Sequence, residues 1–177
     1  VSVNMIQDSA TIAQNTDNPD ITTTTAVRLL LNKAGNVEDA LTLLEEYDLH
    51  ASMGMMIHFA LSDRTGRSVV VEYIDQEMVV TETPVVTNFY LAEGEKHGIG
   101  TQQSHERYDI LTELLAQKET MSIADVRDAL ERVSKKNFDD YASTEWSIVF
   151  DLDAGTAQYY HRENYEQQYA FSLTEGE

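Results

Sequence analysis

The sequence predicts an α+β fold with mainly antiparallel sheets. Two observations carry the class. Strand and helix patterns are segregated along the chain, in the order strand, helix pair, strands, helix pair, strands. Short β-prone runs are separated by tight-turn residues between positions 55 and 88, and again between 146 and 161, which is the spacing of antiparallel hairpins. This order suggests sheets covered by segregated helices.

Each element has a local reason. Residues 1–6 are largely apolar and predict a strand, and Val1 reads as a processed or cut chain end. Residues 7–20 are polar, with Asn15, Thr16, Asp17, Asn18 and Pro19 together, and predict a loop. Residues 23–33 place Ala26, Leu29 and Leu30 at helical spacing, and Gly35 stops the helix. Asn36 is a suitable cap for a second helix, with Asp39 at its third position and Ala40, Leu41, Leu43 and Leu44 apolar.

A meander follows. Strands are expected at 55–61, 68–74, 78–81 and 85–88, with a turn at Asp63-Arg64-Thr65-Gly66 where Gly66 supplies positive φ, and with Pro84 restricting the start of the last run. Residues 91–103, with Gly94, Gly98 and Gly100, predict a loop. A helix at 104–117 has Tyr108, Leu111, Leu114 and Leu115 on one face. A second spans 122–134, where Ser122-Ile123-Ala124-Asp125 is close to a capping box. Residues 146–152 and 156–161 form a hairpin about Asp153-Ala154-Gly155, and 165–173 suggest a last strand.

At 177 residues the chain fits one domain, and 42% apolar residues suffice for a core. A net charge of −19 and a pI near 4.4 argue against a nucleic-acid groove, which needs a basic face, and the bland reading of that charge is a solvated acidic surface. No apolar run approaches the roughly 18 residues of a membrane span. There is no cysteine, so within these residues there is no disulfide, no thiolate metal site and no thiol nucleophile.

Taken on their own, the residues form no strong catalytic constellation. His105-Glu106 begins like a zinc-protease helix motif, but Asp109 stands where the second His belongs. The five histidines, at 50, 58, 97, 105 and 161, have no metal-ligand spacing, so neither metal nor cofactor is expected. The run 94–100 is glycine-rich without a phosphate-loop pattern and reads as a mobile surface loop. Glu45-Glu46 and Asp139-Asp140 read as solvated faces. His58 alternates with apolar neighbours, as a satisfied sheet histidine does, and Trp146 reads as core. On the same terms Asn4 is a polar residue on a strand face, Asn88 ends a strand, and Arg107 is solvated in the first turn of a helix.

Several segments, in order, carry more. They are Val1-Ser2-Val3-Asn4-Met5; Ser62-Asp63-Arg64-Thr65-Gly66-Arg67-Ser68 with Glu72; Thr87-Asn88; Arg107-Tyr108; and Thr144-Glu145-Trp146-Ser147. Together they resemble the later portion of the choloylglycine hydrolase family, which includes bile salt hydrolases and penicillin V acylases. The resemblance implies part of a four-layer αββα sandwich of the N-terminal-nucleophile hydrolases, and a chain that is the C-terminal portion of a larger such domain. It implies hydrolysis of non-peptide linear amides by an N-terminal cysteine, which would lie upstream of Val1.

The resemblance further implies catalytic roles for Asn4 and Asn88 as oxyanion donors, since a side-chain amide N–H is neutral and directional. It implies that Arg107 sits beside the thiol, where a fixed positive charge favours the thiolate. The implied partners are a small-molecule amide and the missing N-terminal portion or a second copy. Strand 1–6 is expected to leave an unpaired edge, and Val69 to Val71 an exposed apolar face. The segment before Arg107 is short and His105-Glu106 replaces the usual small residue and serine, which is closer to the acyltransferase and N-acyl-amide hydrolase branches than to the bile-salt branch. An acyltransferase, or a non-catalytic binding or structural domain on the same scaffold, are the other readings.

Overall fold

The computed structural model describes residues 1–136 and 143–172. The chain divides into two compact units, 1–108 and 109–177.

The first unit is built on a four-stranded antiparallel sheet of order β1-β4-β5-β6, where β1 is Ser2–Met5, β4 Ile57–Ser62, β5 Ser68–Ile74 and β6 Glu77–Glu82. The β4–β5 turn is the expected one: Gly66 has φ +87° and donates to Asp63 O at 3.1 Å. The β5–β6 turn needs positive φ at both Asp75 (51°) and Gln76 (71°), which matches the twist of a two-residue hairpin. Gln76 then ties down residues 11–14 through bonds with Ala13 N, Thr11 O and Gln14 Nε2.

A second pair, β2 (Asp20–Thr22) and β3 (Asp48–His50), runs parallel. A parallel pair needs a long crossover, and α1 (Thr23–Lys33) with α2 (Val37–Glu45) supplies it. The α2 cap is as expected: Asn36 Oδ1 accepts from Asp39 N at 2.9 Å. Asp63 of the distant turn takes the Val37 N–H at 2.8 Å, which satisfies another free donor of the helix start. Strands β2 and β3 are three residues each, too short to show a period in the sequence.

Both faces of the main sheet are covered within this unit. Phe59, Val69, Val71 and Tyr73 join Leu30, Val37 and Leu44 in the larger core. Val70 packs on the other face with Phe89 and Leu91. Val69, Val70 and Val71 are therefore buried, which corrects the expectation of an exposed apolar face there. The edge at β1 is as expected, with β4 its only ladder neighbour among the described residues.

Residues 85–88 are not a strand. Thr83 Oγ1 bonds both the N–H and the carbonyl of Val85, and His58 takes the carbonyl of Thr87, so side chains use the backbone groups a ladder would need. The segment crosses the sheet's second face instead. The 94–100 loop, expected to be mobile, is tied down: Tyr90 N bonds Ile99 O, Gly98 N bonds Tyr90 O, and Lys96 reaches Asp8 at 2.6 Å.

The division between units falls inside α3 (Gln102–Ala116). The second unit has α4 (Ile123–Arg132) against a three-stranded antiparallel sheet, β7 (Trp146–Asp151), β8 (Thr156–His161) and β9 (Gln168–Ser172). The capping box forms, with Ser122 Oγ accepting from Asp125 N at 3.2 Å and Asp125 Oδ2 from Ser122 N at 2.9 Å. Val149, Tyr160 and Tyr165 pack under Ile123, Val126 and Leu130. Trp146 is 59% exposed, which corrects its expected place in the core: it starts β7 on the face away from Ser147 and Val149. Asp139-Asp140 and Leu173 lie outside the described residues, and Glu45-Glu46 is exposed as expected. Among the described residues no helix is long and apolar enough to cross a membrane, and no group of three or more His, Asp or Glu is arranged to hold a metal ion.

Candidate active site

The three residues singled out from the sequence lie at the end of β1 and across the sheet face that the 85–92 segment covers. Asn4 stands directly opposite His58 in the β1–β4 ladder, so the two side chains share that face. Asn4 is half-buried, and its side chain has no hydrogen-bond partner among the described residues. Asn88 Nδ2 donates to the carbonyl of Met5, the next residue, at 2.8 Å. Arg107 Nη2 donates to Asn88 Oδ1 at 2.9 Å. Arg107 and Asn88 are thus joined directly, and Asn88 is joined to the strand that carries Asn4.

Helix α3 places Arg107. It begins at Gln102, two residues earlier than the pattern suggested, so Arg107 sits in the second turn and is half-buried instead of solvated. Its Nε donates to Gln103 O at 3.2 Å and Nη2 also reaches Ser104 Oγ at 3.3 Å. Burial lowers the guanidinium below its ordinary value, and it stays a cation at any physiological pH. Ser104 is buried and committed to Thr101 Oγ1 at 2.9 Å, and its carbonyl takes Thr87 Oγ1–H at 2.9 Å. His105 stacks on Phe89 at 4.1 Å between ring centroids and bonds Gly98 O at 2.9 Å, and Tyr108 meets Phe89 edge-on at 5.1 Å. These contacts clip residues 87–100 onto the start of α3.

Chemically, an Asn whose oxygen accepts from a cation has a more strongly polarised amide, and its N–H groups become better donors. One Asn88 N–H goes to Met5; the second has no partner among the described residues. The arrangement offers a directional donor beside a fixed positive charge.

Two features carried no assigned role in the sequence. His58 and Glu72 are both fully buried and bonded at 3.0 Å (Nδ1 to Oε1). The signal was present: Glu72 is a charge inside the apolar run Val69-Val70-Val71-Glu72-Tyr73, which demands a partner. His58 is the satisfied sheet histidine expected. Asp8 accepts from Lys96 and from Tyr90 Oη at 2.9 Å. The Lys96 bond, with the Ala10 N–H, holds the Asp8 carboxyl down to about 2. Burial pushes the Tyr90 hydroxyl well above its ordinary range.

A family model described as acyl-coenzyme A:6-aminopenicillanic acid acyl-transferase matches residues 9–166, a span that contains Asn88 and Arg107 but not Asn4. Among solved structures, a variant of conjugated bile acid hydrolase from Clostridium perfringens is 15% identical with a TM-score of 0.75, over 99% of this chain and 70% of that one. A second variant of that hydrolase is 13% identical with a TM-score of 0.76 and the same coverage. Penicillin V acylase from Agrobacterium tumefaciens is 22% identical with a TM-score of 0.66, over 90% of this chain and 58% of its own. Comparison with curated proteins finds no match. The α+β fold with antiparallel sheets expected from the sequence is the fold these hydrolases have, and the resemblance to the choloylglycine hydrolase and penicillin V acylase group stands.

Proposed function

We propose a function from one premise: the chain belongs to the acyl-coenzyme A:6-aminopenicillanic acid acyl-transferase family. On that premise these 177 residues are the C-terminal part of an N-terminal-cysteine hydrolase that cleaves non-peptide linear amides. The observation that carries the reading is the Arg107–Asn88–Met5 chain of hydrogen bonds, which holds an amide donor beside a half-buried cation. The likeness to conjugated bile acid hydrolase and penicillin V acylase supports the kind of bond, an acyl group on a non-peptide amine.

The cysteine is supplied from outside these residues, which contain none. Its α-amine takes the thiol proton, and the thiolate attacks the substrate carbonyl carbon. The carbonyl oxygen gains the negative charge, and the free Asn88 N–H, with the Asn4 amide, donates to it. The C–N bond then breaks, the amine leaves with the proton, and water hydrolyses the thioester to free the acid and the thiol. Arg107 orients Asn88 and favours the thiolate. The partners are the amide substrate and the portion bearing the nucleophile, or a second copy.

The second reading is an acyltransferase, favoured by the family's own description: an amine takes the place of water at the thioester. A non-catalytic domain on the same scaffold is the third. The deciding experiment compares the parent protein with this chain, using bile-salt, penicillin V and N-acyl amide substrates. The parent is expected to turn over at least one of them, with acyl transfer appearing when an amine acceptor is added if the second reading holds. The 177 residues alone are expected to be inactive. Hydrolysis by this chain alone would overturn the assignment of the nucleophile.

A further inference from the structure

We infer that the buried His58–Glu72 pair is the positioning element of the Asn88 site. It lies on the sheet, is 0% exposed at both residues, and makes no side-chain hydrogen bond to Asn4, Asn88 or Arg107 among the described residues. Its bonds all run to the segment that carries Asn88. Thr87 O is an acceptor only, so His58 Nε2, 2.9 Å away, carries a proton and donates. Glu72 Oε2 accepts from Leu91 N at 3.0 Å and Ala92 N at 2.6 Å, and Oε1 shares the Leu91 N–H. The Nδ1–Oε1 bond joins the two grips. Whether the shared proton rests on His58 or on Glu72, the pair as a whole is neutral, which removes most of the cost of burying it.

The segment is therefore held on both sides of Asn88: at the residue before it by His58, and three and four residues after it by Glu72. Strands β4 and β5, the most enclosed in the sheet, carry the two side chains, so the site's height over the sheet is set by the rigid core. Thr87 passes the restraint to α3 through Ser104 O, one turn before Arg107. Apolar residues of like volume would leave Thr87 O and the Leu91 and Ala92 N–H groups without these partners, so the pair is matched to the backbone of this one segment.

The inference rests on the reading of Asn88 as an oxyanion donor, and its test reads the Asn88–Arg107 bond itself. The probe is side-chain and backbone NMR with hydrogen exchange on the whole chain. His58→Phe combined with Glu72→Gln fills the space, leaves an amide oxygen to accept from the Leu91 and Ala92 N–H groups, and removes the bond to Thr87 O together with the bond between the two side chains. Protection of the Asn88 Nδ2 proton bonded to Met5 O is expected to fall about tenfold, the worth of one hydrogen bond, and the Arg107 Nη signals to move toward solvent values. The Leu30 and Val71 amides keep their protection. His58→Gln combined with Glu72→Gln rebuilds every bond from amides and is expected to restore both signals, which a general packing role would not require.

Unchanged Asn88 and Arg107 signals in the Phe variant would overturn the inference, as would a folded Gln–Gln variant that fails to restore them. If the Phe variant does not fold, the unmodified chain decides. Leu91 N, Ala92 N and Asn88 Nδ2 should then share one opening, with protection factors within about threefold of one another; Asn88 exchanging far faster than the other two overturns it. In the enzyme with its nucleophile, the Phe variant lowers kcat and leaves KM, and a change in KM alone counts against it. A protein that proves to hydrolyse no amide would end the functional reading and leave the NMR result standing.

Discussion

Gly100→Ala is the most informative single perturbation of this site. A Cβ at position 100 would stand 2.3 Å from Phe89 Cβ, 2.7 Å from Asn88 O and 2.8 Å from Phe89 Cα. Ordinary contact between such atoms is about 3.5–4.0 Å, so each is short by roughly 1 Å. Two of the three are backbone-borne and cannot rotate away. The Asn88–Phe89 strip, which bridges to Gly100, must move as a piece.

A 1 Å shift carries the 2.9 Å Arg107–Asn88 bond beyond hydrogen-bond range and strains the Tyr90–Ile99 bond. Overpacking of this kind costs about 1–3 kcal/mol, or roughly 2–12 °C in Tm for a chain of this size. Urea denaturation read through near-UV circular dichroism measures the first, and the Asn88 side-chain amide signal reports the second. In the proposed amide-cleaving enzyme a misplacement of about 1 Å is expected to cost about a hundredfold in rate. A variant within about 0.5 kcal/mol of the parent chain, with Asn88 signals unmoved, would refute the claim that Gly100 sets the position of Asn88.

Further outcomes are expected. Asp8, held from its ordinary 3.8 to about 2 mainly by Lys96, has a depressed folded-state value. It therefore stabilises the fold above about pH 4, and loses that contribution as pH falls through about 2. Solvent screening reduces the effect to about 1 kcal/mol. Asp8→Asn should accordingly differ from the parent chain by that amount at pH 6 and by only a small fraction of it at pH 2, in paired urea titrations; an equal difference at both would contradict it. The isolated chain is expected to self-associate, because the β1 edge has a single partner among the described residues and Trp146, Phe150, Tyr169 and Phe171 are exposed. Light scattering at several concentrations should show mass rising with concentration, and a monodisperse monomer would contradict this.

What the sequence made legible was local. The bounds of β5 were readable because a glycine turn and Asp75-Gln76 fence an unbroken β-branched run. The caps at Asn36 and Ser122 were readable because a side chain three residues from its backbone partner needs no tertiary knowledge. The 85–88 segment was misread because Val85-Val86-Thr87 has strand composition, and composition cannot show that His58, some thirty residues away, takes the carbonyl a ladder needs. The parallel β2–β3 pair joins residues 28 apart across a helix hairpin, a pairing no local window contains. Trp146 was misread because strand alternation fixes two faces without saying which one is covered. Within the site, Asn88 and Arg107 were reached through a family resemblance. Gly100 was invisible, since its role is a close approach between two strips of backbone.

The central claim is that Asn88, held by Arg107, donates to the oxyanion of an amide-cleaving intermediate. Its most direct test is steady-state kinetics of Asn88→Ala in the parent protein with the nucleophile present. The account predicts that kcat falls by about a hundredfold while KM barely moves, because the lost hydrogen bond is made in the transition state and not to bound substrate. A variant that keeps kcat, or that changes KM alone, would contradict it.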